Sequence, residues 1–104
     1  MQTLHFEVKD QTITQPPGQT VYRDDTKLQF SFSEDWDGFV RVVGFSRGTE
    51  EFEPQALIHG TTCEIPSKAL EGTFFRMHVI GKNGTEKRKT KTCIVMVSRN
   101  KHTL

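Results

Sequence analysis

Apolar and polar residues alternate with a period of two along most of this chain. Leu4, Phe6 and Val8 alternate with His5 and Glu7, which predicts a strand with one buried face. Leu28, Phe30 and Phe32 alternate with Gln29, Ser31 and Ser33 and predict a second. Between them, Lys9-Asp10-Gln11 predicts a turn and Thr12-Ile13-Thr14 a short strand. Pro16-Pro17-Gly18 predicts a loop, and Val21-Tyr22-Arg23 a short extended piece that Asp24-Asp25 turns back. After Phe32, Ser33-Glu34-Asp35 breaks the alternation, and Asp37-Gly38 supplies residues that tolerate a positive φ. Trp36 therefore falls at a corner before the strand Phe39–Phe45.

The second half follows the same logic. Arg47-Gly48-Thr49 is a turn signal, and Pro54 limits Glu51–Pro54 to an edge or irregular strand that Gln55–Ile58 continues. His59-Gly60-Thr61 turns into Thr62–Ile65, and Pro66-Ser67-Lys68-Ala69-Leu70 predicts one helical turn ended by Gly72. Thr73–Ile80 places Phe75, Met77 and Val79 on one face, so Phe74 and Ile80 point the other way. Asn83-Gly84 is a hairpin signal, Thr90–Val97 the return strand, and residues 99–104 a loose tail. About eight short strands with turns every 8–12 residues predict one all-β domain over 1–104. The expected architecture is an antiparallel β-sandwich, immunoglobulin-like or jelly-roll-like, with one helical turn near 66–71. Its core is expected to hold Phe6, Phe30, Phe32, Phe45, Phe75, Val79, Ile94 and Met96, with Trp36 closing one end. The alternative for Trp36, shared with Tyr22, is an exposed ring that stacks on sugar or base. A second apolar surface is expected outside the core, from Phe74, Ile80 and the pair Leu57-Ile58.

Composition narrows this picture. Hydrophobic residues make up 34% and charged residues 26%, a globular balance lean in apolar content. No apolar run is long enough to cross a membrane, and Met1–Glu7 lacks the basic start and apolar run of a secretion signal. Folding in a cytoplasm is the expectation, and it favours reduced thiols at Cys63 and Cys93, with a disulfide as the alternative. Asn83-Gly84-Thr85 then reads as a turn, not a glycosylation site.

The net charge of +1 hides an asymmetry: residues 1–75 hold six Lys/Arg and twelve Asp/Glu, residues 76–104 eight and one. Lys82, Lys87, Arg88, Lys89 and Lys91 concentrate the excess on one predicted hairpin. Two readings stand: charges that keep an edge from pairing promiscuously, or a patch that meets an acidic partner or the acidic half of another copy.

Catalytic patterns are lacking. His5, His59, His78 and His102 have no metal-ligand spacing, and neither a phosphate loop nor a Gly-x-Ser-x-Gly elbow occurs. His5 and His78 fall on the polar phase of their strands and are expected to be exposed. Glu34, Asp35 and Asp37 surround Trp36, but calcium needs six or more oxygens, and turn formation explains these acids. The basic hairpin contains no aromatic residue, which argues against specific nucleic-acid readout. No catalytic residue, metal or cofactor is expected.

Phe32-Ser33-Glu34-Asp35-Trp36-Asp37-Gly38, the strand to Phe45, Cys63-Glu64-Ile65-Pro66 and the strand closing on Val79-Ile80-Gly81 together carry a resemblance. Over roughly residues 3–97 the chain resembles a small β-module of virion proteins from tailed phages of Gram-positive bacteria, found in head-fibre, tail and baseplate components. The resemblance implies a virion structural protein, a head-fibre, decoration, neck or tail-associated component, that assembles by protein–protein contacts without catalysis. Its expected partners are copies of itself and other virion proteins, with neither membrane nor specific nucleic acid among them. In longer relatives a further domain follows; here the chain stops, so the module is expected to act alone or with its own copies. Two other functions stay open: a small phage-encoded inhibitor of a host or defence factor, and a carbohydrate-binding module.

Overall fold

A computed structural model of the chain describes residues 2–15, 20–22 and 26–98. The Pro16-Pro17-Gly18 loop, the Asp24-Asp25 turn and the tail 99–104 lie outside the described residues. Two sheets enclose one core, so the expected all-β sandwich is the architecture observed. The smaller sheet is built from β1 (Gln2–Lys9), β2 (Thr12–Thr14), β4 (Thr26–Phe32) and β8 (Thr62–Glu64), in the order β2-β1-β4-β8. The larger contains β3 (Val21–Tyr22), β5 (Val40–Arg47), β6 (Glu50–Glu51), β7 (Gln55–Ala56), β9 (Phe74–Asn83), β10 (Glu86–Lys89) and β11 (Cys93–Ser98). Its spine runs β3-β11-β9-β5-β6, with β10 also paired to β9 and β7 to β5.

Two pairings depart from the expected antiparallel pattern. β1 runs parallel to β4 from Gln2–Thr26 to Val8–Phe32, and β3 runs parallel to β11. Local turn signals specify hairpins between neighbours in sequence; parallel pairs need a longer connection, which holds β2 and β3 between β1 and β4, and β4 to β10 between β3 and β11.

Turn chemistry fixes the hairpins. Asp10 adopts φ +54° in the β1–β2 turn, and Gly48 and Gly84 adopt φ +62° in the two-residue loops β5–β6 and β9–β10. Pro54 separates β6 from β7, and Phe52 between them turns inward to become 7% exposed. The expected helical turn is a 3-10 turn over Ser67–Glu71.

The core places Leu4, Phe6, Val8, Leu28 and Phe30 of the smaller sheet against Val43, Phe45, Phe75, Met77, Val79, Val95 and Val97 of the larger. Phe6 and Phe30 stack with centroids 5.5 Å apart, and Phe45 meets Phe75 edge-on at 5.6 Å. Phe32 packs against the rim of this core rather than inside it.

Two inward assignments are corrected: Ile94 and Met96 are each 53% exposed, while Val95 and Val97 are buried. The cause is a β-bulge. Thr90 still faces Val79, exchanging Thr90 N–H with the Val79 carbonyl and the Val79 N–H with its own Oγ1, both at 2.9 Å. The next ladder pair is Cys93–Met77, so Lys91 and Thr92 together oppose His78 alone. One extra residue shifts the ladder by one position and turns each following side chain to the opposite face.

Candidate functional site

The Trp36 corner accounts for the acids and for part of the basic hairpin. Trp36 lies in the 3-10 turn Glu34–Trp36 and is wholly buried; its indole N–H donates to the Asp10 carbonyl at 2.7 Å. A Cβ on Gly81 would stand 2.6 Å from the indole ring, so only glycine admits Trp36 beneath β9. Phe32 and Phe39 flank the indole at 5.4 and 5.8 Å. Arg41 lies over the Phe32 ring at 4.1 Å and donates to the carbonyls of Trp36, at 2.9 Å, and Gly60, at 3.0 Å. This buried Trp36 removes the main support for a sugar-stacking surface.

Arg88 belongs to the same corner, which corrects its place in a basic patch. It pairs with Gly81 on β9, so its side chain points inward. The guanidinium sits 5.4 Å from the Trp36 ring and 4.7 Å from the Phe39 ring, and donates to the Asp35 carboxylate at 3.0 Å and to the Asp35 carbonyl. Asp35 also accepts from the Ser33 hydroxyl; that bond first, with Arg88 assisting, holds its carboxyl below the usual range. Of the three acids, Asp35 is a structural partner of Ser33 and Arg88, while Glu34 and Asp37 are exposed and joined through the backbone by the Asp37 N–H and the Glu34 carbonyl. Among the described residues no group of three or more His, Cys, Asp or Glu is arranged to hold a metal ion.

The outward face of the larger sheet gathers most of the other predicted binding residues. Ladder partners share a face, so the pairs Met96–Phe74, Ile94–Arg76–Ser46–Glu51, His78–Gly44, Lys89–Ile80–Val42–Ala56 and Lys87–Lys82–Val40 stand together on the outside. The ladder thus sets Phe74 and Ile80 of the expected apolar surface and Lys82, Lys87 and Lys89 of the basic hairpin on one face. Lys91 is exposed in the bulge, its N–H bonded to the Gln11 carbonyl at 2.7 Å. Val40 is 71% exposed and Ile80 40%, and with Ile94 and Met96 they supply four of the five exposed large apolar residues among those described. The fifth, Ile58, bridges to Thr62 beyond the end of β7, while Leu57 packs on the core.

Between the apolar groups sits His78, half-buried where exposure was expected. Its ring covers Gly44, where a Cβ would lie 2.5 Å from it. Burial lowers its pKa from the ordinary value, Lys89 adds to the effect and Glu51 opposes it. A hollow of about 460 Å³ lined by Val40, Val42, Ile80, Gly81, Lys82 and Gly84 continues the apolar surface. Val40, Val42, Ile94, Met96 and Glu51 were missed as surface residues. For Val40 and Val42 the alternation within β5 carried the signal, since Phe45 inward implies both outward.

Cys63 and Cys93 are free thiols, as the compartment argument favoured. Burial, with Glu64 adding to it, pushes the Cys63 thiol up to about 12, and burial also raises Cys93, so neither is poised as a nucleophile. Among the described residues no helix is long and apolar enough to cross a membrane. Comparison with protein-family models, curated proteins and solved structures finds no match.

Proposed function

We propose that this chain is a non-catalytic assembly module of a phage particle, working through the outward face of its larger sheet. The observation that supports this reading is the contrast between the two outward faces. The smaller sheet presents Thr3, His5, Glu7, Lys27, Gln29 and Ser31, a solvated surface. The larger presents Val40, Ile80, Ile94 and Met96 in one surface with Phe74 and Val42. Full burial of a side chain of this size is worth about 1.5–3 kcal/mol. Val40, Ile80, Ile94 and Met96 keep 40–71% of their surface exposed, so a partner on this face gains part of that at each position. The virion context comes from the resemblance of the Phe32–Gly38 block and the strands that follow it.

Mass spectrometry of purified particles tests the reading. A virion component is recovered at many copies per particle. A protein abundant in infected cells and absent from particles overturns the reading in favour of an inhibitor.

A further inference from the structure

The assembly reading leaves the partner of the apolar face unnamed; the charges at its borders supply one. Glu51 on β6 and Lys89 on β10 stand on opposite sides of the face, at opposite corners. Three ladder steps separate them, about 14 Å, and their β9 partner rows, Arg76 and Ile80, lie about 13 Å apart along the strand. The midpoint of that diagonal is the His78–Gly44 pair, which fits the opposed influences of Lys89 and Glu51 on His78.

We propose, building on the assembly reading, that the partner is a second copy of this chain, packed face to face about a two-fold axis over the His78–Gly44 pair, with Glu51 of each copy opposite Lys89 of the other. Four simple placements of such an axis exist. Along the strands, it lays Lys89 on the other copy's Ala56. Across the strands, it lays Lys89 on Ile94. Along the Glu51–Lys89 diagonal, each of the two meets its own like charge. Only an axis perpendicular to that diagonal matches these two charges, twice over, and avoids burying either Glu51 or Lys89 without a partner. That axis runs at about 45° to the strands, so the two sheets cross near 90°, one of the two ways sheets pack. It also passes over Ile94, which meets its counterpart, and over Ala56, small enough to permit close approach.

The face measures on the order of 600 Å² per copy from strand spacing and length, at the low end of specific interfaces, so the dimer is expected at micromolar concentrations. Arg76, Lys82 and Lys87 are the remaining charges on the face; Arg76 lies 5.6 Å over the Phe74 ring, and Lys82 and Lys87 are ladder partners at the rim.

Sedimentation at low salt tests the inference with Glu51→Lys and Lys89→Glu. Each variant alone is expected to weaken self-association ten-fold or more, because two like-charge contacts replace two opposite ones. Mixed in equal amounts, the two variants should form a heterodimer at least ten-fold tighter than either homodimer, since both contacts are restored. Circular dichroism on each variant checks that these exposed positions leave the fold intact.

Three results would overturn it. If single charge reversals leave the dimer intact while Ile94→Asp dissolves it, the face is used with another geometry. If mixing fails to restore association, the charges do not meet. If the wild-type chain stays monomeric at several hundred micromolar, the face belongs to a different protein. None of these bears on recovery from particles, so the assembly reading stands or falls separately.

Discussion

The two outward faces of the sandwich arise from the same alternation and meet water differently. On β1 and β4 every second residue is polar, so Thr3, His5 and Glu7 pair with Lys27, Gln29 and Ser31. On β5, β9 and β11 the outward positions hold Val40, Val42, Ile80, Ile94 and Met96 between a few charges. Both sheets need only their inner faces for the core. Apolar outward residues therefore add less to the folding of a single copy than inward ones, chiefly through cross-strand contacts, and the first face is built with polar residues in the same positions. Val40, Ile80, Ile94 and Met96 leave 40–71% of their surface in water, an exposure the first face avoids.

The comparison breaks most completely if the scaffold that holds both faces is removed. Trp36→Ala should lower unfolding free energy by about 3–5 kcal/mol in urea titration, the usual loss for a buried large aromatic. Trp36 is wholly buried and seals the end of both sheets, so an unchanged midpoint would contradict its place in the core. Gly81→Ala strikes the same joint from the β9 side, forcing the Trp36 ring away from a Cβ 2.6 Å distant.

A second prediction separates the faces. Ile94→Asp should leave the melting temperature within a few degrees, since the side chain is already half in water, yet lower the mass in light scattering. Gln29→Asp on the polar face should change neither. Equal responses of the two variants would erase the distinction between the faces.

A third, smaller effect concerns pH and isolates His78. Folding lowers its pKa from 6.5, through burial first and Lys89 second, against the opposing Glu51. As pH falls through 6.5 the unfolded chain takes up the proton first, so His78 contributes a loss of stability below that value and none above it. Melting curves at pH 7.5 and 5.5 should differ more for wild type than for His78→Gln; identical differences would place His78 in water. The smallest expected effect is zero: reductant should leave the melting temperature unchanged, because Cys63 and Cys93 are free.

What the alternation revealed, and what it concealed, follows from how local each feature is. Within β1, β4, β5 and β9 no bulge interrupts the side-to-side alternation, and on β9 it correctly sent Phe75, Met77 and Val79 inward and Phe74 and Ile80 outward. β11 reads Cys93-Ile94-Val95-Met96-Val97, apolar at every position, so its phase rests on the ladder and not on its own pattern. The bulge at Lys91–Thr92 sets that phase through a bond from Lys91 to Gln11, eighty residues earlier in the chain. Arg88 illustrates the same limit. Alternation with Lys87 and Lys89 implies that it points the other way, but Trp36 as its target depends on how distant strands meet. The parallel pairing of β1 with β4 is likewise beyond any turn signal.

The bulge has a genetic consequence. Because β11 is apolar in either phase, losing one codon at Lys91 or Thr92 would restore a regular ladder and exchange the two sets of residues, sending Ile94 and Met96 inward and Val95 and Val97 outward. Hydrophobicity of the strand would be conserved while the shape of the outward surface changed. Single-residue insertions and deletions commonly turn polar residues into a core; here the exchange sets one apolar pair against another, with the larger Ile94 and Met96 taking the inward places of Val95 and Val97.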